Sequence, residues 1–221
     1  MASLALVLAA SYLLGAVPFS LIVARAHGID LRQHGSGNAG ATNVWRVVGK
    51  GAGALAFLLD AGKGVAATLV LARLGGDLTP LLGAHAGAWA AVLAGAAAMI
   101  GHVWTLWGRL FFGSWRGGKG VATGFGMLLG LIPAAVGVAL LVFVLTLALT
   151  RWVSLGSMLG ALSLPVTLFV QQRLGATVAP PLWGFALVVP FFIVWTHRTN
   201  VRRLLDGTEP RLNDPAARDP R

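Results

Sequence analysis

The sequence predicts an all-α protein, a polytopic integral membrane bundle of helices. Apolar residues make up 57% of the 221 residues and charged residues only 11%, whereas about a quarter of an ordinary soluble domain is charged. Six long apolar runs fill most of the chain, and about 20 apolar residues suffice for a helix to cross a bilayer. The basic residues are scattered between these runs, as expected of loops that orient a protein in a membrane.

The apolar runs cover Leu4–Ala24, Ala52–Leu71, His85–Trp107, Val121–Leu149, Leu155–Phe169 and Leu182–Trp195. The fourth run is too long for one ordinary span, and Gly130-Leu131-Ile132-Pro133 interrupts it near its middle. Proline lacks a backbone N–H and ends or kinks a helix. We therefore predict two segments in this run and seven transmembrane segments in the whole chain.

The basic residues also predict the orientation. With seven segments and the N-terminus outside, only Arg73 and Arg173 lie outside and Lys63 lies within a segment, so 14 of the 17 lysine and arginine residues lie inside. A six-segment arrangement would place Arg151 and the basic C-terminal tail outside, against the excess of positive charge in cytoplasmic loops. We expect one membrane domain over residues 1–205 and a cytoplasmic polar tail over residues 206–221. The net charge of +10 is explained by orientation, and we expect no nucleic-acid partner.

A polar, glycine-rich loop follows the first apolar run. It comprises His34-Gly35-Ser36-Gly37-Asn38-Ala39-Gly40-Ala41-Thr42-Asn43, and Arg46 stands just beyond it. Glycine lets the backbone approach an anion closely, so that several N–H dipoles converge on it. Alternatively, the glycines form a tight turn or allow close helix packing. Hydroxyl, amide and guanidinium groups exceed what a turn requires, and we predict a phosphate site made by Ser36, Gly37, Asn38, Gly40, Thr42, Asn43 and Arg46.

A second glycine-rich loop, Gly117-Gly118-Lys119-Gly120, opens directly into the apolar run that starts at Val121. Backbone N–H groups at a helix start bind anions, helped by the helix dipole. The spacing differs from that of a Walker A loop, which disfavours an ATPase. Lys119 alone could be a surface lysine that sets the topology. Its glycine setting favours a phosphate site, whose predicted members are Gly117, Gly118, Lys119, Gly120 and Thr123.

The predicted topology brings further polar residues to the same side of the membrane. Ser154 and the segment His197-Arg198-Thr199-Asn200 both follow segments that end on the cytoplasmic side, and we add Ser154, His197 and Asn200 to the predicted substrate site. Asp60 and Lys63 stand three residues apart within the second apolar run. They are either a mutually neutralising pair or part of the site. His102 is expected to be a buried hydrogen-bonding residue at the end of a segment.

The sequence gives no basis for metal or cofactor chemistry. It has no cysteine and only seven acidic residues, four of them in or near the tail, and no His, Asp and Glu grouping has ligand spacing. No Ser, His and Asp set is evident either. The predicted site is cationic and hydrogen-bonding, without an obvious strong base, metal ion or cofactor.

Five motifs, in this order, resemble the bacterial acyl-phosphate:glycerol-3-phosphate acyltransferase family. They are Ser36–Arg46, Asp60-Ala61-Gly62-Lys63-Gly64, Gly101-His102, Gly117–Thr123 and His197–Leu204. The resemblance runs from about Ser11 to Glu209. The chain departs from the family pattern at Thr105, where a proline is expected, and the link Leu106–Arg116 is longer than usual.

The resemblance implies a multi-pass enzyme of the bacterial inner membrane with its active site on the cytoplasmic side. Such an enzyme transfers the acyl group of a long-chain acyl phosphate to the 1-hydroxyl of sn-glycerol 3-phosphate, giving lysophosphatidic acid and phosphate. The implied partners are these two substrates and membrane lipid, with no obligate protein partner. The implied catalytic residues are Arg46, Lys119, His197 and Asn200.

Two questions remain open at this level. A membrane transporter of a phosphorylated solute would share the apolar segments and the phosphate loops. It is disfavoured because these loops lie on one face and no internal repeat is evident, whereas carriers hold their site near the midplane between repeats. His197 is interpreted as positioning glycerol 3-phosphate rather than as a general base, since no acidic residue near it in sequence would orient it.

Overall fold

The structure, a computed structural model, describes residues 2–213. This part of the chain is helical and forms no strand; the only β-like feature within it is an isolated bridge between Trp104 and Arg116. Two 3₁₀-helices, Leu71–Gly75 and Gly83–His85, accompany the α-helices. The α-helices are α1 (Ala2–Gly15), α2 (Phe19–Ala26), α3 (Ala41–Val47), α4 (Lys50–Leu69), α5 (Thr79–Leu82), α6 (Ala86–Val103), α7 (Leu106–Phe112), α8 (Val121–Leu131), α9 (Pro133–Thr150), α10 (Val153–Arg173), α11 (Pro180–Thr196) and α12 (Arg198–Leu205).

Within residues 2–213, five helical stretches are long and apolar enough to cross a membrane. A sixth candidate is the pair of α11 and α12, which is bent by 62° between Thr196 and Arg198. α8 is apolar but has only 11 residues. The fold is thus an all-helical bundle with five or six candidate spans, and the seventh segment remains a prediction. The candidate spans are Ser3–Ala26, Lys50–Gly75, Thr79–Val103, Pro133–Thr150 and Val153–Arg173.

The predicted interruption of the fourth apolar run is confirmed. α8 ends at Leu131 and α9 begins at Pro133, with Ile132 between them in a non-helical conformation (φ −146°, ψ 67°). Proline is favourable at the first position of a helix, because its missing N–H would have no partner there. The break leaves α8 short, and α9 ends so that Val153 at the start of α10 lies in the same region as Val121 at the start of α8.

The link between α6 and the second glycine-rich loop folds into the short helix α7. Thr105, in place of the proline expected from the family, is fully buried and caps α7 by accepting a hydrogen bond from the Gly108 backbone N–H (2.9 Å). Its hydroxyl also donates to the Ala16 carbonyl. The longer link is therefore an ordered, capped turn of helix that is tied to the end of α1.

Glycines allow two pairs of helices to approach each other closely. A Cβ at Gly64 in α4 would overlap the Thr123 carbonyl of α8, and a Cβ at Gly126 in α8 would overlap the Ala61 carbonyl of α4. The same reciprocal arrangement joins α1 to α6 through Gly15 and Gly101. Small residues are the usual device for packing helices in a membrane, where lipid is as apolar as the side chains. The contact between α4 and α8 fixes where α8 begins, and hence where the second glycine-rich loop lies.

The largest buried cluster of apolar side chains lies between α6, α8, α9, α10 and α11. Met127, Leu164 and Leu168 are fully buried at its centre. Other large apolar side chains point outward, and Leu149 and Phe191 have exposed fractions of 85% and 77%. Outward-facing side chains of this kind suit contact with lipid.

A matched pair of substitutions on α4 tests the close crossing with α8. Gly64→Ala should destabilise the protein, because the new methyl group overlaps backbone and such overpacking costs about 1–3 kcal/mol. Gly62→Ala meets no atom within 4 Å and should leave stability unchanged or raise it slightly, since alanine is the better helix former. Thermal unfolding of both purified variants in the same detergent provides the measurement. Equal melting temperatures would contradict the crossing described here.

Candidate active site

A polar cavity of about 140 Å³ opens at the end of the bundle where the two glycine-rich loops meet. Its wall includes the first loop and α3, the second loop, the start of α10 and the junction of α11 and α12. Ten residues predicted to bind substrate line it: Ser36, Asn38, Gly40, Thr42, Asn43, Arg46, Lys119, Ser154, His197 and Asn200. The bundle therefore brings together most of the predicted site from four separate parts of the chain.

Asn43 holds the first glycine-rich loop closed. Its Oδ1 accepts a hydrogen bond from the Ser36 backbone N–H (3.0 Å), and its Nδ2 donates to the carbonyls of Leu31 (3.2 Å) and His34 (3.0 Å). Gly35 adopts φ +60°, and a Cβ there would overlap the Asn43 amide. The Asn43 side chain is 1% exposed. Although it lines the cavity, its amide is committed to shaping the loop.

Arg46 and Lys119 bring two cations to the cavity from two separate parts of the chain. Arg46 is on α3, is 8% exposed, and donates from Nη2 to the Pro210 carbonyl (3.0 Å). Lys119 donates from Nζ to the Asn200 side-chain carbonyl. Burial lowers the pKa of Lys119 to about 8; the nearby Glu209 carboxylate opposes this effect, while Arg203 and Arg46 add to it. Two cations held in a poorly solvated cavity are suited to anionic substrates.

His197 is buried at the junction of α11 and α12. Its Nδ1 lies 2.8 Å from the Ile193 carbonyl, and because a carbonyl can only accept, Nδ1 carries the hydrogen. In the neutral ring, Nε2 is then a hydrogen-bond acceptor. We therefore expect a neutral His197 to accept a hydrogen bond from a substrate hydroxyl. The role of His197 in catalysis stays a prediction.

Glu209 is the residue of the cavity that the sequence analysis missed, because we assigned it to the polar tail. Its Oε1 accepts hydrogen bonds from Ser154 Oγ (2.6 Å) and Asn200 Nδ2 (2.6 Å), and its Oε2 accepts one from Arg203 Nε (2.8 Å). Burial alone would raise the pKa of Glu209, but these three hydrogen bonds outweigh it and hold the pKa below its ordinary value. The available signal was the rarity of carboxylates in this chain and a position six residues after Arg203.

The described part of the predicted tail covers one side of the cavity. Trp152 Nε1 donates to the Glu209 carbonyl (3.2 Å), and the Leu212 N–H donates to the Arg151 carbonyl (2.9 Å). Residues 206–213 therefore pack on the start of α10, while residues 214–221 lie outside the described residues. Burying a carboxylate there requires the hydrogen bonds that Ser154, Asn200 and Arg203 supply.

Five of the predicted substrate-binding residues do not line the cavity. Thr123 is fully buried, and its carbonyl lies at the crossing with α4. Gly120 adopts φ +83° and precedes the first residue of α8. Substrate binding by these residues is still untested, but the structure gives most of them a role in loop shape or helix packing. The five are Gly37, Gly117, Gly118, Gly120 and Thr123.

Asp60 and His102 also line the cavity, although the sequence analysis left the role of Asp60 open and expected only a buried histidine at 102. Asp60 pairs with Lys63 (2.8 Å) and lies 3.4 Å from His102 Nδ1. The two interpretations of Asp60 and Lys63 therefore do not exclude each other, since the ion pair forms and its carboxylate faces the site.

An apolar groove of about 120 Å³ adjoins the polar cavity. It runs between α8, α9 and α10, and Val189 and Ile193 of α11 complete its wall. The groove and the polar cavity share four lining residues: Phe57, Val121, Phe143 and Ser157. A ligand with an anionic head and an apolar chain could therefore occupy both at once.

No group of three or more His, Asp or Glu side chains with the geometry of a metal site occurs within residues 2–213. What the described cavity offers is two cations, several hydroxyl and amide groups and an acceptor nitrogen of His197. Such a set can bind phosphates and orient a hydroxyl group.

Comparisons with known proteins agree on one family. The family model described as glycerol-3-phosphate acyltransferase matches residues 5–207. Glycerol-3-phosphate acyltransferases of Synechococcus sp. (strain CC9902) and Thermosynechococcus vestitus (strain NIES-2133 / IAM M-273 / BP-1) are 44% and 45% identical to the chain, over 95% of both chains in the first case and 91% and 92% in the second.

The fold agrees as well. The crystal structure of PlsY (YgiH), an integral membrane glycerol 3-phosphate acyltransferase, in its glycerol 3-phosphate form, has a TM-score of 0.78 and 35% identity over 95% of both chains. Its lysophosphatidic acid form gives a TM-score of 0.76 and 34% identity, again over 95% of both chains. The chain belongs to the glycerol-3-phosphate acyltransferase family of integral membrane proteins.

Proposed function

We propose that the protein transfers the acyl group of a long-chain acyl phosphate to the 1-hydroxyl of sn-glycerol 3-phosphate, giving lysophosphatidic acid and phosphate. The observation that carries this proposal is the polar cavity that continues into an apolar groove through Phe57, Val121, Phe143 and Ser157. An acyl phosphate has this same division into an anionic head and an apolar chain. A donor without a long apolar chain would have no need of the groove.

The positive charges that line the cavity favour the binding of two anionic substrates together. Lys119 of the second loop and Arg46 of α3 both line the cavity. The planar guanidinium of Arg46 suits a phosphate, and the Lys119 ammonium serves as a compact point charge. The side chains of Ser36 and Asn38 provide further donors for a phosphate. These groups reduce the repulsion between the two phosphates and let them bind together.

The transfer itself requires orientation more than activation, because an acyl phosphate is already reactive. The 1-hydroxyl oxygen forms a bond with the carbonyl carbon, and the bond between that carbon and the phosphate oxygen breaks. The hydroxyl proton passes to the departing phosphate. His197 Nε2 accepts a hydrogen bond from the neighbouring 2-hydroxyl of glycerol 3-phosphate and so aims the 1-hydroxyl at the carbonyl carbon. This kind of orientation supplies up to about 7–11 kcal/mol in favourable models.

The proposed topology has seven transmembrane segments, an outer N-terminus and a cytoplasmic site in the bacterial inner membrane. The charge distribution supports it, since 14 of the 17 basic residues would lie inside. The apolar chain of the donor and of the product would remain at the level of the lipid, and glycerol 3-phosphate would enter from the cytoplasm. No observation on the structure favours the transporter.

The donor is tested by mixing purified protein with labelled glycerol 3-phosphate and either palmitoyl phosphate, palmitoyl-CoA or palmitoyl-acyl carrier protein. We expect labelled lysophosphatidic acid from palmitoyl phosphate alone.

Ala161→Phe fills the groove, at a cost of about 1–3 kcal/mol, and should lower kcat/KM for palmitoyl phosphate about tenfold or more while acetyl phosphate is affected less. Leu162→Phe is the control, because Leu162 is 48% exposed and is not part of the groove. Product from palmitoyl-CoA at the same rate would overturn the donor assignment.

The lowered pKa of Lys119 predicts a pH dependence. A lysine with a pKa of about 8 is charged below that pH and loses its charge as the pH rises through it. We therefore expect kcat/KM for glycerol 3-phosphate to fall about tenfold per pH unit above pH 8. Lys119→Arg keeps its charge and should move this fall to higher pH, whatever its absolute rate. Profiles of the same shape for both proteins would show that another group titrates.

The topology can be mapped with single cysteines, since the sequence has none. Asp77 and Arg116 are both exposed and lie at opposite ends of the predicted arrangement. Asp77→Cys should react with a membrane-impermeant maleimide in intact spheroplasts, and Arg116→Cys only in inside-out vesicles. The reverse pattern would invert the proposed orientation.

A further inference from the structure

Four buried polar side chains form a cluster beneath the cavity, and the proposed transfer does not use them. Asp60 lies at its centre: Oδ1 is 2.8 Å from Lys63 Nζ and 3.4 Å from His102 Nδ1, and Oδ2 accepts a hydrogen bond from Ser20 Oγ (3.1 Å). The Asp60 and Lys63 side chains are both 1% exposed. The cluster therefore joins α2, α4 and α6 in a region that water scarcely reaches.

Each charge in this cluster has a partner. Lys63 also donates to the Val17 carbonyl (2.9 Å), at the break between α1 and α2, and lies 5.8 Å from the centre of the Phe19 ring. Because Lys63 neutralises Asp60, the carboxylate remains available to hold His102 without leaving an uncompensated charge. Ser20 and Lys63 fix Asp60 on one side, and His102 is the contact on the side of the cavity.

The His102 ring lies between the two glycine-rich loops. A Cβ at Gly118 would overlap His102 Nε2 and would lie 3.0 Å from the Ala39 carbonyl of the first loop. The Gly117 N–H donates to the Val103 carbonyl (2.9 Å), next to His102, and a Cβ at Gly117 would overlap the His102 carbonyl. The glycines are thus required here because the second loop packs directly on His102.

We propose that His102, oriented by Asp60, is a positioning residue that sets the second glycine-rich loop against the first and so places Lys119 for the substrate phosphate. The proposal rests on the proposed function, since it assigns a task in that same site. Lys119 immediately follows Gly118, so a displacement of Gly118 is passed to the lysine. A misplacement of about 1 Å in a reacting group can cost about 100-fold in rate.

If His102 positions Lys119, its replacement should have a different effect with and without the Lys119 side chain, which a residue that only packs would not show. A side chain that only stabilises the fold affects stability and leaves the kinetics of the folded protein unchanged. A residue that acts through Lys119 matters less once the lysine is gone. The two effects are then non-additive, which a double-mutant cycle detects.

The test uses His102→Gln, His102→Asn and His102→Phe, with His85→Gln as the matched control, because His85 is exposed and is not a lining residue of the cavity. We expect the three variants at position 102 to lower kcat/KM about 10- to 100-fold and the control to match the wild type. The dissociation constant of glycerol 3-phosphate, measured by calorimetry without donor, should rise about tenfold from the wild type to His102→Gln. It should rise less than about threefold from Lys119→Ala to the double variant that also carries His102→Gln.

Three outcomes overturn the proposal. The first is wild-type kinetic constants in His102→Gln. The second is an equal rise in the dissociation constant with and without the Lys119 side chain. The third is a lowered melting temperature or failure to insert in all three variants, with normal constants in any folded fraction, which would make His102 purely structural. Failure of the proposed function is distinguishable, because the wild-type protein itself would then neither bind nor acylate glycerol 3-phosphate.

Discussion

The site depends on how its buried carboxylates are neutralised. Asp60 pairs with Lys63 and Glu209 with Arg203, each at 2.8 Å. Neither acid therefore relies on Lys119 for its principal cation. In a cavity with little water, an uncompensated carboxylate would attract the cations needed for phosphate and would repel the substrates themselves. The separate ion pairs keep the cavity attractive to anions although two acidic residues line it.

The cavity also requires that helices far apart in the sequence begin or end at the same level of the bundle. The glycine crossing of α4 and α8 fixes the start of α8, and the break at Pro133 returns the chain so that α10 begins beside it. Small residues are needed because lipid provides no hydrophobic force between helices, so that close backbone approach must supply the packing. Glycine and proline residues that take no part in the reaction thereby place the second loop against the first.

The sequence predicted what depends on local pattern and missed what depends on long-range contact. The break was predictable because Pro133 stands near the middle of an apolar run that is too long for one span. The composition of the glycine-rich loops was enough to single out Lys119 and Arg46. Glu209 looked like one charge of a polar tail, because nothing near it in sequence reveals that Ser154, 55 residues away, donates to it. Asp60 and His102 stayed ambiguous for the same reason, since their contact joins α4 to α6. The sequence pattern counted α8 as a segment, whereas with 11 residues it is not among the five candidate spans.

The hydrogen bonds of Asn200 fix the orientation of its side-chain amide in the cavity. Its Nδ2 donates to Glu209 and its Oδ1 accepts from Lys119, so the carboxylate fixes which end of the amide faces the lysine. The amide cannot rotate without presenting its donor to the ammonium group and losing both hydrogen bonds. In this arrangement Asn200 holds the Lys119 ammonium group by a hydrogen bond. Asn200 still has a second N–H and a second lone pair on Oδ1, so it can contact a substrate while both hydrogen bonds hold, and Lys119 then stays in place as the substrate binds.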